Sequence, residues 1–104
     1  MKKEELDDIY QFLAGYWYDR EEKDAAIVNE FVGEVDPQIA VKYADLIERF
    51  IASPESMRNK SDFIRKAVWR WFPPEEVDAP IKWLEGILVL LKEAGIYSLE
   101  YEIL

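Results

Sequence analysis

The sequence of 104 residues contains neither cysteine nor histidine. The absence of cysteine excludes a disulfide bond, a thiolate metal site and a thiol nucleophile. The absence of histidine removes the commonest general base and the commonest ligand of transition metals. The composition therefore disfavours both a disulfide-stabilised secreted domain and a histidine-dependent enzyme, and it indicates no cofactor.

Glycine and long apolar runs are also scarce. The four glycines lie at positions 15, 33, 86 and 95, a spacing unlike that of a phosphate-binding loop. The longest apolar run, GILVLL, is far shorter than the roughly 20 residues that cross a membrane. The first residues, MKKEELDD, lack the apolar core of a secretory signal. We therefore expect a cytoplasmic protein with no membrane partner.

Apolar and acidic residues are abundant. Half of the residues are hydrophobic and 14% are aromatic, which suffices for the core of one domain over residues 1–104. The formal net charge is −9, divided as −7 over residues 1–36, +3 over residues 37–70 and −5 over residues 71–104. Such a charge repels nucleic acid and attracts a basic protein. An acidic surface also serves solubility alone, so both interpretations stay open.

Apolar residues recur with helical spacing along most of the chain. In the first segment this pattern stops near Gly15, which we expect to close the helix. A second stripe covers positions 27–35. Asp36 and Pro37 are suited to the N-cap and first position of a third helix, and Ser53 marks its end.

Two further helices are predicted in the second half of the chain. The fourth begins at Asn59 or Ser61 and places Trp71 on its inward face, before two consecutive prolines forbid continuation. The fifth opens near Asp78 and ends at Gly95. The tail from Ile96 to Leu104 alternates apolar and polar residues, which is typical of extended chain. The predicted fold is an all-α, small antiparallel bundle of about five helices with an extended C-terminal arm.

Catalysis and nucleic-acid binding are poorly supported. Di-metal helical bundles need inward Glu and His pairs, and the four serines have no histidine to activate them. The segment RNKSDFIRKAVWRWF interleaves basic and aromatic residues, as single-stranded nucleic-acid sites do. However, its aromatic residues fit a core stripe, and Arg65, Lys66 and Arg70 can pair with acidic helices. We expect no enzyme and no direct nucleic-acid partner.

The segment FLAGYWYDREEKD joins aromatic rings directly to carboxylates. We expect Tyr16 and one neighbouring ring to turn inward after Gly15, so that the following residues project from a fixed corner. A second acidic segment, PPEEVD, precedes the last helix. The alternative for both is that the carboxylates merely occupy helix N-termini, which favour negative charge.

The four tryptophans are interpreted mainly as core residues, with Trp71 and one of Trp69 or Trp17 on inward stripes. Trp83 borders the inward stripe of the last helix, where an aromatic residue can anchor an interface. The candidate partner-binding residues are Tyr18, Asp19, Glu21, Glu22, Asp24, Glu75, Glu76, Asp78 and Trp83.

Several segments, in order, resemble the contact-dependent growth inhibition immunity proteins of the CdiI type. They are YQFLAGYWYD, a helix closing on Phe31, VKYADLIERFIASP and KWLEGILVLL. The matching positions are Phe12, Gly15, Tyr16, Asp19, Trp83 and Leu84. The likeness covers roughly residues 6 to 93, and it departs from the family at Arg20, where an aromatic residue is expected, and in the tail.

The resemblance implies a small helical cytoplasmic protein that binds and neutralises the C-terminal toxin domain of a contact-delivered effector. Many such toxins are nucleases, often RNases that cleave tRNA, so the implied partner is a basic toxin domain. A net charge of −9 without catalytic equipment fits this role. The alternative is an acidic helical adaptor or regulatory module that binds a different basic protein.

Overall fold

The structure is a computed structural model that describes the backbone of residues 1–103 and the side chains of residues 1–94. It contains five helices: α1 (Lys3–Trp17), α2 (Asp24–Glu34), α3 (Pro37–Ala52), α4 (Met57–Val68) and α5 (Ala79–Ile103). No strand occurs within residues 1–103. The predicted all-α bundle of five helices is therefore confirmed.

The helices surround a core of apolar side chains. Helix α5 packs along α3 and also contacts α2 and α4, while α1 packs mainly on α4. The predicted inward stripe of α5 is confirmed, because Ile81, Leu84, Ile87 and Leu91 are all buried. Burial of these stripes supplies the main driving force for folding, since each fully buried side chain contributes about 1.5–3 kcal/mol.

The first helix does not end at Gly15. It continues to Trp17, whose side chain is only 2% exposed, and the chain turns at Asp19 with φ of 54°. Aspartate tolerates the left-handed region better than most residues, so the turn does not require glycine. Pulling Trp17 into the core thus moves the end of the helix two residues beyond the predicted position.

The third helix begins where its local signals predict. Pro37 is its first residue and Asp36 precedes it as the N-cap, although the Asp36 carboxylate makes no hydrogen bond to the first turn. Proline suits this position because its backbone has no N–H and its φ is already helical. At the other end, the Ser53 N–H donates to the Phe50 carbonyl at 3.2 Å.

The fourth helix is offset from the prediction at both ends. Its N-cap is Ser56, whose Oγ accepts from the Asn59 backbone N–H at 3.1 Å, rather than Asn59 or Ser61. The helix ends at Val68, because Trp69 adopts a left-handed conformation with φ of 54°. Trp71 was predicted to face inward, but it is 76% exposed. Phe72 occupies the core instead.

The last helix continues past Gly95, so the predicted extended arm from Ile96 is wrong over residues 96–103, where the backbone is helical. One glycine inside a helix costs only about 1 kcal/mol relative to alanine, and no proline follows it to force an end. Leu104, also assigned to the arm, lies outside the described residues.

The position of the α4 cap is testable by stability. Ser56→Ala removes the side-chain acceptor for the first turn, and we expect it to lower the free energy of unfolding by about 1 kcal/mol. Asn59→Ala is the matched control, because Asn59 lies inside the helix where alanine is favoured, and we expect a change within about 0.5 kcal/mol. Urea denaturation measures both, and a larger loss at Asn59 would contradict the observed cap.

Candidate functional site

The connection between α1 and α2 forms a corner with buried and exposed sides. Trp17 is buried on the inner side, and Tyr16 packs against the core while its hydroxyl donates to Glu34 of α2 at 2.7 Å. Burial and this carboxylate raise the pKa of Tyr16 to about 12. Tyr18 and Asp19 lie on the outer side, with Tyr18 52% exposed. The expected inward turn of Tyr16 and one neighbouring ring is thus confirmed, although Gly15 does not produce it.

The segment after α4 presents two tryptophans to solvent. Trp69 is 75% exposed and Trp71 is 76% exposed. The Trp69 ring lies 5.8 Å from the Tyr18 ring, centroid to centroid. Tyr18, Trp69 and Trp71 are the exposed aromatic residues among positions 1–94. Tyr18 and Trp69 come from two separate segments, so the fold has brought these two rings together, and Trp71 follows Trp69 two residues later.

The end of α4 at Val68 explains why these tryptophans leave the inward stripe. Beyond Val68 the chain is no longer helical, and Trp69 is left-handed with φ of 54°, so the helical periodicity of α4 does not continue. Arg70 and Phe72 turn toward the protein, which leaves Trp69 and Trp71 outside. The sequence contained this signal, because the proline at 73 disfavours helical backbone at Phe72. The prediction that the helical stripe continues through WRWF did not take this proline into account.

Asp24 holds this region together. Its carboxylate accepts hydrogen bonds from the indole N–H of Trp17 at 3.0 Å and from that of Trp83 at 3.0 Å. It also pairs with the Arg70 guanidinium at 3.1 Å. The Arg70 guanidinium in turn lies over the Trp83 ring, 5.2 Å from its centroid. One carboxylate therefore connects α1, α2, α5 and the segment that carries the exposed tryptophans.

A cleft of about 160 Å³ lies between the corner and the end of α4. Its base contains Trp17 and Val68, both almost fully buried. The complete lining consists of Trp17, Asp19, Arg20, Glu21, Val68, Trp69 and Arg70. The cleft thus combines an apolar base, an indole wall and a charged mouth.

The two arginines of the cleft are already paired. Arg20 contacts Glu22 at 3.1 Å and Glu30 at 2.5 Å, and Arg70 is bound to Asp24. The Arg20 guanidinium, assisted by backbone amides, lowers the pKa of Glu22 below its usual value. Asp19 and Glu21 have no side-chain hydrogen bond or ion pair with any residue whose side chain the structure describes. Both residues are exposed to solvent.

The aromatic–acidic edge is the name we give to Tyr18, Asp19, Glu21, Trp69 and Trp71. Three of these, Tyr18, Asp19 and Glu21, were predicted from the sequence, and the structure brings them to the same place. Trp69 and Trp71 were interpreted as core residues and were missed as surface residues.

Three other predicted residues have internal partners. Glu22 is paired with Arg20, and Asp24 and Trp83 are hydrogen-bonded to each other. Asp24 was expected to project from the corner, but its internal partners show that it does not. Trp83 is half-buried against the core, which places it beneath the tryptophan segment rather than on the exposed edge.

The second acidic segment lies beside a different cleft. Arg65 donates to the Phe72 and Pro73 carbonyls at 3.2 and 3.3 Å, and Ser61 donates to the Val77 carbonyl. The adjoining cleft of about 310 Å³ is lined by Arg58, Ser61, Asp62, Arg65, Pro74 and Val77. Glu75 and Glu76 are exposed, and Asp78 pairs with Lys82 at 3.1 Å. No described contact joins these three carboxylates to the aromatic–acidic edge.

The described residues form neither a metal-binding group nor a membrane-spanning helix. No three carboxylates among them converge into a group that could hold a metal ion. Within the same residues, no helix has the length and apolar character needed to cross a membrane. Comparisons with protein-family models, curated proteins and solved structures give no match to this chain.

The role of Asp24 is testable by substitution. Asp24→Ala leaves the buried Trp17 N–H without an acceptor and releases Trp83 and Arg70, so we expect it to lower the free energy of unfolding by roughly 2–4 kcal/mol. Asp7→Ala is the control, because Asp7 is exposed and makes no described side-chain contact; we expect a change within about 0.5 kcal/mol. Urea denaturation followed by circular dichroism compares them. Equal effects would show that Asp24 is not a structural centre.

Proposed function

We propose that this protein is a stoichiometric inhibitor that binds a basic protein through the aromatic–acidic edge. The observation that carries the proposal is the close approach of the exposed Tyr18 and Trp69 rings beside the carboxylates of Asp19 and Glu21, with the exposed Trp71 on the same segment as Trp69. Tryptophan and tyrosine dominate the energetics of protein interfaces because they bury a large area at low entropic cost. Burying the two exposed indoles against a partner recovers the free energy lost by leaving them in water.

The distribution of charge supports a basic partner. Several basic residues of the middle third already pair with acidic residues, as Arg49 does with Glu5 at 2.7 Å and Lys42 does with Asp8 at 3.9 Å. The net charge of −9 remains after all such pairs are counted. A field of this sign accelerates encounter with a positively charged protein and repels like-charged surfaces.

The proposed partner is the C-terminal toxin domain of a contact-dependent growth inhibition effector, and the proposed place of action is the cytoplasm. This identification rests on the resemblance of the sequence to the CdiI-type immunity proteins. A nuclease toxin, such as a tRNA-cleaving RNase, binds phosphates with lysine and arginine. Carboxylates such as Asp19 and Glu21 can make charge-assisted hydrogen bonds with the same side chains.

An acidic adaptor that binds a different basic protein is the second candidate. The aromatic–acidic edge supports the adaptor and the toxin inhibitor equally well. Indole rings and carboxylates recognise a basic surface whatever the activity of the protein that carries it. Toxin neutralisation distinguishes the two functions.

Co-expression tests the proposed neutralisation. We predict that the reading frame immediately upstream encodes the toxin domain. Cells that produce this domain should stop growing, and cells that also produce this protein should continue to grow. Gel filtration of the two purified proteins should give a 1:1 complex. If co-expressing cells still stop growing and gel filtration shows no complex, the immunity function is rejected. The adaptor function then remains as the candidate.

The aromatic–acidic edge is testable within that complex. Trp69→Ala and Trp71→Ala should each weaken toxin binding by about 30-fold or more, the effect typical of central interface tryptophans. Both residues are exposed, so their loss should change stability by less than about 1 kcal/mol. Isothermal titration calorimetry measures the affinity and urea denaturation the stability.

Val41→Ala is the matched control for these variants. Val41 is an exposed apolar residue of α3, 46% accessible, and it lies outside the aromatic–acidic edge. Its replacement should leave the affinity within about twofold, since isolated exposed apolar residues contribute little to an interface they do not touch. If Val41→Ala weakens binding as much as Trp69→Ala, the interface lies elsewhere.

A further inference from the structure

The cleft beside Trp69 has the chemical character of a receptor for a long cationic side chain. Its base is formed by buried apolar groups of Trp17 and Val68, and its wall by the exposed Trp69 ring. Asp19 and Glu21 also line it, and both are exposed. Lysine and arginine have an apolar stem and a charged head, so they can place the stem on the base and the head among the carboxylates.

Charge around the cleft favours a cation even though two arginines line it. Arg20 is paired with Glu22 and Glu30, and Arg70 is paired with Asp24. Together with Asp19 and Glu21 this makes five carboxylates and two guanidinium groups, a net charge of −3. A third guanidinium therefore enters a region that remains negative.

The protein already contains a similar arrangement, formed by the side chain of Arg70, the residue after Trp69. The Arg70 guanidinium lies 5.2 Å from the Trp83 ring centroid and is hydrogen-bonded to the Asp24 carboxylate at 3.1 Å. Stacking on an indole and pairing with a carboxylate act together there, since the flat guanidinium offers a face to the ring and donors to the oxygens. Trp69 and Asp19 offer the same two components to an external arginine.

We propose that the cleft binds one arginine side chain of a partner protein, stacked on Trp69 and paired with Asp19 and Glu21. Arginine is preferred to lysine because its planar guanidinium stacks on indole and offers several donors to two carboxylates. The identity of the partner rests on the proposed function, whereas the chemistry of the cleft does not. The cleft can therefore be tested with no toxin present.

The test is an NMR titration of the full chain with N-acetyl-arginine methylamide. The ¹⁵N-labelled protein gives indole signals from its tryptophans, and Trp69→Phe identifies the signal of Trp69. We expect that signal to shift saturably, with a Kd on the order of 10 mM for a single exposed cation site. The Trp17 and Trp83 indoles, which are bonded to Asp24, should shift much less. N-acetyl-citrulline methylamide, which has a similar shape without the charge, should give little shift.

Two double variants test whether Asp19 and Glu21 pair with the bound arginine. Asp19→Asn with Glu21→Gln removes both charges, and asparagine keeps the tolerance for left-handed backbone that position 19 requires. We expect this variant to weaken arginine binding about threefold or more. Glu4→Gln with Asp7→Asn is the matched control, because it makes the same change of charge and composition at the other end of α1; its affinity should stay within about 1.5-fold of the original.

Three results would overturn the arginine site: equal shifts with citrulline, equal weakening by both paired variants, or no saturable shift of Trp69 at the solubility limit of the probe. The titration and the toxin experiments test the two proposals separately, so either proposal can be rejected without the other. Arginine binding without toxin neutralisation would reject the immunity function alone, and neutralisation without arginine binding would reject the arginine site alone.

Discussion

The carboxylate of Asp24 is the interaction on which the rest of the structure depends. Three donors from distant parts of the sequence converge on it: the indoles of Trp17 and Trp83 and the guanidinium of Arg70. A buried indole N–H without an acceptor costs roughly 1–3 kcal/mol, so the carboxylate removes a penalty that the core would otherwise carry. Asp24 is also the first residue of α2, where a negative charge favours the helix.

This convergence explains how the protein maintains an unfavourable conformation at its surface. Asp19 and Trp69 both have φ of 54°, and both line the same cleft. Left-handed backbone costs roughly 1–2 kcal/mol in a residue with a side chain, and it is rare for one as bulky as tryptophan. The Arg70 link to Asp24 fixes the residue after Trp69, and the buried Trp17 fixes the chain two residues before Asp19. The backbone that carries the exposed rings is therefore held in place, and a backbone that is already ordered would lose less entropy on binding the proposed partner.

The features predicted from sequence are those that depend on neighbouring residues. Asp36 and Pro37 specify the start of α3 locally, and apolar spacing specifies the inward stripe of α5. Some errors are local, as at the Ser56 cap and at Gly95, and others fall where a distant contact also decides. Trp69 and Trp71 face solvent because α4 stops at Val68, and Arg70 of that segment binds a carboxylate 46 residues earlier in the chain. Helical periodicity alone continues the stripe to Trp71, since it contains no information about such a partner.

Contacts distant in sequence also distinguish the carboxylates of the segment FLAGYWYDREEKD, which look equivalent in the sequence. Asp24 serves the core and Glu22 serves Arg20, which leaves Asp19 and Glu21 at the surface. The paired arginines beside the aromatic–acidic edge have a further consequence. Arg20 and Arg70 hold the neighbouring carboxylates in place, yet the region keeps a net negative charge. A partner that meets this edge with apolar groups alone would leave Asp19 and Glu21 desolvated and unpaired, which is costly. Under the proposed function, the carboxylates that would attract a basic surface would therefore also discriminate against a neutral one.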